Sequence, residues 1–109
     1  MLDRTGFPPG LMRSLEVFLA VAATGPMRAG AKLLNLSQPA ASQHIAALEE
    51  AFGTRLLDRG TRPARLTHAG ARLLLKAQKI LDAVSEMETE LRHVGQKSLS
   101  LLRVGLQAS

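Results

Sequence analysis

The fold is decided by residues 36–53, which read LSQPAASQHIAALEEAFG. Ser37 is a favourable N-cap residue, and a proline two positions later suits the first turn of a helix. Apolar residues then recur at i, i+4, i+7 and i+11, which predicts one buried helix face comprising Ala41, Ile45, Leu48 and Phe52. Gly53 is expected to end this helix.

A shorter helix is predicted immediately upstream. Gly25-Pro26 opens it, helical spacing continues to Leu34, and Asn35 suits its end because asparagine tolerates the left-handed conformation. The small pair Gly30-Ala31 allows another helix to approach closely. Two helices joined by about three residues form a helix-turn-helix pattern, whose second helix typically enters the major groove of DNA.

The N-terminal part comprises a leader and one more helix. Residues 1–10 contain two glycines and two prolines, and we expect a flexible leader there. A helix closed by Gly25 follows, with one apolar face made of Leu11, Leu15, Phe18, Leu19 and Ala22.

A β-hairpin is predicted after the third helix. Two short extended runs, Leu56-Leu57 and residues 64–67, flank the turn-forming segment 60–63. Thr67 can then cap a long helix from about His68 to Val94, closed by Gly95.

This long helix carries a heptad seam, spaced 4, 3, 4, 3, 4, 3, at Leu73, Ala77, Ile80, Val84, Met87, Leu91 and Val94. A second stripe, from Gly70 to Leu81, covers only the first turns, which we therefore expect to pack on their own domain. The later turns would expose the seam, which then requires a partner helix. Past Gly95, alternation from Leu102 to Leu106 predicts a β-strand that has no partner, so we interpret residues 96–109 as the start of a truncated second domain.

Composition narrows the functional classes. The 109 residues suffice for one small domain, the net charge is +5, and four arginines but one acid lie between Arg55 and Arg65. Without cysteine there is no disulfide or thiolate site, and the three histidines lack zinc spacing, so we expect neither a metal, nor a cofactor, nor catalysis. With three aromatic residues, base stacking on RNA is disfavoured. No membrane span or secretory signal is found.

The chain resembles the N-terminal domain of LysR-type transcriptional regulators. The resemblance rests on residues 36–45 (LSQPAASQHI), Leu48-Glu49-Glu50, Phe52-Gly53, residues 56–59 (LLDR) and residues 65–70 (RLTHAG). It implies a mainly α-helical chain: a winged helix-turn-helix over residues 11–67, three helices and a short hairpin wing, followed by a linker and dimerisation helix over residues 68–95. The effector-binding domain would follow.

The resemblance assigns base reading to Gln38, Pro39, Ser42 and Gln43. Gln43 lies nearly opposite the predicted buried face, with Pro39 and Ser42 beside it, and Gln38 lies in the exposed N-terminal turn of the helix. Glutamine can pair with adenine, serine can contact either base-pair partner, and proline can meet a thymine methyl group. Gln43 departs from the arginine that the family often has there, which bears on the sequence read.

Backbone contacts are implied for Ser37, Arg59, Arg62 and Arg65, with Arg62 at the hairpin tip in or beside the minor groove. For Arg59 a salt bridge with Asp58 or Glu49 stays open, and His44 could be a backbone contact or a plain surface residue.

The expected function is a cytoplasmic, nucleoid-associated bacterial regulator that binds an inverted-repeat operator in double-stranded DNA as a homodimer. The full-length protein could also contact RNA polymerase, and any small-molecule effector would bind the absent domain. The alternative is a helical protein-interaction module without specific DNA readout. A membrane-surface role is disfavoured by acids along the last helix at Asp82, Glu86, Glu88 and Glu90.

Overall fold

The computed structural model describes residues 9–60 and 64–108, with side chains described up to residue 97. Four helices and one hairpin follow in the order α1 (Leu11–Thr24), α2 (Met27–Leu33), α3 (Gln38–Phe52), β1 (Leu57–Asp58), β2 (Arg65–Leu66) and α4 (His68–Ala108). The predicted fold class, a mainly helical winged helix-turn-helix followed by a long helix, is confirmed. The chain divides into two compact units, Met1–Lys79 and Ile80–Ser109.

The core of the first unit lies where α1, α2 and α3 pack against one another. It is built from aliphatic side chains and one aromatic ring, and its largest fully buried members are Phe18, Leu15, Ile45, Leu48, Leu56, Val17 and Val21. The predicted close approach at Gly30 is confirmed, because a Cβ atom there would lie 2.7 Å from the Val21 Cα atom. Glycine thus brings α2 against α1.

Local capping fixes the ends of α3. The Ser37 hydroxyl accepts a hydrogen bond from the Ala40 N–H at 3.2 Å, and Gly53 ends the helix with φ 64°. Asn35 has φ 55° in the turn between α2 and α3, as its residue type predicts. The turn and α3, the recognition helix of the predicted helix-turn-helix, are therefore positioned by three local signals.

The wing is tied to the start of α4. Strands β1 and β2 are antiparallel, with Leu57 opposite Leu66 and Asp58 opposite Arg65. The Thr67 N–H donates to the Leu56 carbonyl at 3.0 Å, while its hydroxyl donates to the Arg55 carbonyl and accepts from the Gly70 N–H. Thr67 thus caps α4, as predicted, and also binds the backbone at the start of the wing through hydrogen bonds to Arg55 and Leu56.

Three predictions are wrong: the end of α4, the strand beyond it and the burial of Phe52. Helix α4 continues through Gly95 to Ala108, so the predicted strand from Leu102 to Leu106 is helical. The helix satisfies its backbone hydrogen bonds internally, whereas a lone strand would leave them without partners. Phe52 is 49% exposed, because the last residue of α3 lies at the edge of the core.

Other predictions fall outside the described residues: most of the leader, residues 1–8, and the hairpin tip with Arg62. Within the part of the chain that is described, none of the helices has the length and apolar character to cross a bilayer.

Candidate nucleic-acid interface

The predicted reading face is displayed on α3. Gln38, Pro39 and Gln43 are exposed, and Ser42 is half-buried. Among the described residues, neither glutamine side chain has a hydrogen-bond partner within the protein. The face therefore offers free amide donors and acceptors of the kind that recognise base edges.

The wing places cations beside this helix. Arg55, Arg59 and Arg65 are exposed. Arg55 and Arg59 line one open groove together with residues of α3 and the loop that follows it. The groove is bounded by Ser42, Ala46, Glu49, Glu50, Gly53, Thr54, Arg55 and Arg59. The structure thus brings the flank of the reading face and the arginines of the wing base onto one continuous surface.

Glu49 organises that surface. Its Oε2 atom accepts hydrogen bonds from the N–H groups of Leu56 at 2.9 Å and Leu57 at 3.4 Å. Its Oε1 atom accepts from Arg59 at 3.1 Å and lies 3.7 Å from an Arg55 nitrogen. The salt bridge considered for Arg59 is therefore present. One carboxylate joins the recognition helix to the start of the wing.

The pKa of Glu49 is lowered below its ordinary value of 4.5. Burial of the carboxyl acts in the opposite direction and is the largest single influence, but the hydrogen bonds from Leu56, Leu57 and Arg59, with the charge of Arg59, outweigh it. The ionised carboxylate is the form that these donors stabilise.

A second contact, absent from the sequence-based predictions, joins α1 to α3. The Ser14 Oγ atom lies 2.9 Å from the His44 Nδ1 atom. Ser14 is buried and His44 is half-buried, so the interpretation of His44 as a plain surface residue is wrong. One signal was available: Ser14 falls on the buried face of α1, where a polar side chain needs a partner.

The burial of the seam residues of α4 differs between the two units. In the first unit Leu73 is half-buried and Ala77 is completely buried, so Ala77 packs within its own chain as the second stripe predicts. In the second unit Val84 is half-buried, and the seam residues that are exposed are Ile80, Met87, Leu91 and Val94. This exposed set is the part of the seam available to another chain.

The described side chains contain no cluster of three or more His, Cys, Asp or Glu residues able to hold a metal ion. The chemistry that this surface offers is hydrogen bonding and charge attraction.

Residues 12–71 match the family model of the bacterial regulatory helix-turn-helix proteins of the lysR family. The chain belongs to the LysR family. The matched range contains the whole helix-turn-helix and the wing. Members of this family are bacterial regulatory proteins, and the relative described next is a transcriptional activator. This agrees with the expectation that the chain is not an enzyme.

Relatives and solved structures agree with LysR membership. A probable cat1 operon transcriptional activator of Acinetobacter lwoffii is 38% identical over 98 residues, covering 90% of this chain and 32% of the relative. The chain therefore spans about a third of the length of that relative.

Two crystal structures of LysR-family DNA-binding domains on DNA superimpose on this chain. The CbnR domain is 38% identical with a TM-score of 0.73, covering 77% of this chain and 97% of that one. The BenM domain, bound to benA site 1 DNA, is 33% identical with a TM-score of 0.74, covering 77% and 94%.

Proposed function

We propose that this chain is the DNA-binding part of a transcriptional regulator that recognises a specific sequence in double-stranded DNA. The observation that carries the proposal is the groove that joins Ser42 of α3 to Arg55 and Arg59, next to the exposed Gln43 on the same helix. A polar helix face reads base edges, and adjoining cations neutralise phosphates. The CbnR and BenM domains, whose structures contain DNA, support the same partner.

In this proposal α3 enters the major groove. Gln38, Pro39, Ser42 and Gln43 meet base edges, while the N-terminus of α3 at Ser37 lies near a phosphate. The wing follows the backbone through Arg59 and Arg65, and Arg62 reaches the minor groove.

The proposal includes a homodimer. Burying the exposed apolar residues of α4 against a second copy would place two recognition helices on the half-sites of an inverted repeat. Action on the nucleoid in the cytoplasm, effector binding by a further domain and contact with RNA polymerase belong to the proposed full-length protein.

Titration of the chain with duplex DNA at several salt concentrations tests the proposal. Sites are first selected from a random duplex library. A dimer that neutralises several phosphates per half-site should lose affinity on the order of 10³-fold or more between 50 and 200 mM salt. An affinity that does not change across that range would contradict DNA binding and favour the protein-interaction alternative.

A further inference from the structure

A buried hydroxyl on α1 holds the histidine of the recognition helix. Ser14 is 2% exposed, and its Oγ atom lies 2.9 Å from the His44 Nδ1 atom. Across residues 9–60 and 64–97, no other group bonds to this hydroxyl. The donor and acceptor roles in this bond depend on the tautomer of the ring. Because a buried hydroxyl hydrogen requires an acceptor and Nδ1 is the atom bonded to it, we infer that Ser14 donates and Nδ1 accepts.

The direction of this bond determines where the ring carries its proton. A neutral imidazole has one protonated nitrogen and one acceptor nitrogen. When Nδ1 accepts from Ser14, the proton resides on Nε2. In that neutral form, the ring presents an N–H donor at the edge away from Ser14.

The position of His44 on α3 directs that edge toward the DNA backbone. A helix with its side chains is about 10–12 Å across and nearly fills a major groove about 12 Å wide. Gln43 lies at the centre of the exposed face, and the next residue is turned by about 100° around the helix axis. His44 therefore lies on the flank next to α1, which in the proposed docking faces one phosphate wall, and the residue is half-buried.

We propose that His44 binds a DNA phosphate through its Nε2–H group and that Ser14 is the positioning residue that selects this tautomer. The inference rests on the proposed DNA-binding function. A neutral donor adds affinity without reading a base and without releasing a counterion. Loss of His44 should therefore change neither the selected sequence, as loss of Gln43 would, nor the salt dependence of binding, as loss of a wing arginine would.

The tautomer is measured on the free chain. Nitrogen-15 NMR of the histidine rings at pH 8, where an ordinary imidazole is neutral, should show His44 protonated on Nε2 and unprotonated on Nδ1. Ser14→Ala should give a mixture of the two tautomers. A wild-type ring protonated on Nδ1 would overturn the positioning role of Ser14.

The phosphate contact is measured by titration on a selected duplex. His44→Ala should weaken binding about tenfold per half-site, equally on preferred and scrambled sequences, and leave the salt slope unchanged. His44→Gln should keep most of the affinity because its amide is also a neutral donor. His93→Ala, which removes an exposed histidine of α4, is the matched control and should bind like wild type.

Coupling of the two residues separates positioning from general stability. Ser14→Ala should weaken binding in the wild-type background and have no further effect in the His44→Ala background, with thermal unfolding recorded for each variant. Wild-type affinity in His44→Ala, with duplex binding intact, would overturn the phosphate contact alone. A wild-type chain that fails to bind duplex DNA would overturn the proposed function, while the tautomer measurement would still decide the Ser14–His44 bond.

Discussion

The Oε1 atom of Glu49 lies 3.1 Å from a guanidinium nitrogen of Arg59, which links the recognition helix to the residue after β1. The same carboxylate also accepts from the backbone of Leu56 and Leu57. A phosphate that binds Arg59 must therefore share this cation with Glu49 or displace it. If Arg59 contacts the DNA backbone as proposed, the geometry of the wing base and the affinity for DNA are coupled through Glu49.

Glu49→Ala should lower the free energy of unfolding by about 2 kcal/mol, because the N–H groups of two buried residues lose their acceptor. Urea unfolding at pH 7 measures the change. Glu50→Ala is the matched control: Glu50 is the exposed neighbour on α3, and its replacement should change stability by less than about 0.5 kcal/mol. Equal effects of the two substitutions would contradict the assigned role of Glu49.

The stabilisation by Glu49 should depend on pH. Its pKa is lower in the folded chain than the ordinary value of 4.5, so on acidification the unfolded chain takes up this proton first. The contribution is complete above about pH 4.5 and is lost as pH falls through the lower folded-state pKa. Unfolding free energies of wild type and Glu49→Gln, compared from pH 7 to 3, should converge on acidification; a gap that widens would refute this.

Gly70→Ala should destabilise the first unit by about 1–3 kcal/mol, because its Cβ atom would clash with the Leu56 carbonyl oxygen at the wing base. Gly95→Ala in the same helix meets no neighbouring atom and should stabilise α4 by up to about 1 kcal/mol. Thermal unfolding of both variants checks the pair. The prediction fails if the two substitutions have the same sign.

Gln43→Ala should weaken binding to the selected site by about 1–3 kcal/mol and relax the preference at one position per half-site. Arg65→Ala, a backbone-contact control, should weaken binding to all sequences alike and reduce the salt slope by about 1. Repeating the library selection with each variant measures both effects. An unchanged selected sequence for Gln43→Ala would remove it from the reading residues.

Val84→Glu combined with Leu91→Glu should give a folded monomer that binds a half-site weakly. The seam would then carry charges that cannot be buried against a second helix. Leu75→Glu is the control, since Leu75 is 61% exposed on α4 outside the seam and its replacement should leave the dimer intact. Equilibrium sedimentation decides the matter: a monomeric wild-type chain at tens of micromolar, or a dimeric double variant, would show that the seam has been misinterpreted.

The helices and their caps were predictable from sequence because their signals are local. Ser37, Gly53 and Thr67 each act on backbone groups within a few residues. The error beyond Gly95 has a related origin: Leu99, Leu102 and Leu106 fit helical spacing, while Leu102, Val104 and Leu106 also alternate as in a strand, so the pattern alone does not decide.

The polar contacts between elements were harder to predict. Ser14 and His44 are 30 positions apart, and Glu49 reaches the backbone N–H of Leu56, a donor that every residue type except proline carries. Such pairs depend on how whole helices pack, and short-range spacing does not contain that information. The exposed glutamines of α3 were predictable because they required only the orientation of one helix.

The side chains of Gln38 and Gln43, which make no hydrogen bond to the rest of the described chain, are exposed at the surface of a helix held by other residues. Substitution at these two positions therefore costs little folding energy, whereas Ser37 and Glu49 are constrained by the fold itself. If these glutamines read bases as proposed, selection can retarget the protein to a new operator by changing a few surface residues, without an intermediate that fails to fold. Duplicated genes carrying this scaffold could diverge in the DNA they recognise while remaining equally stable.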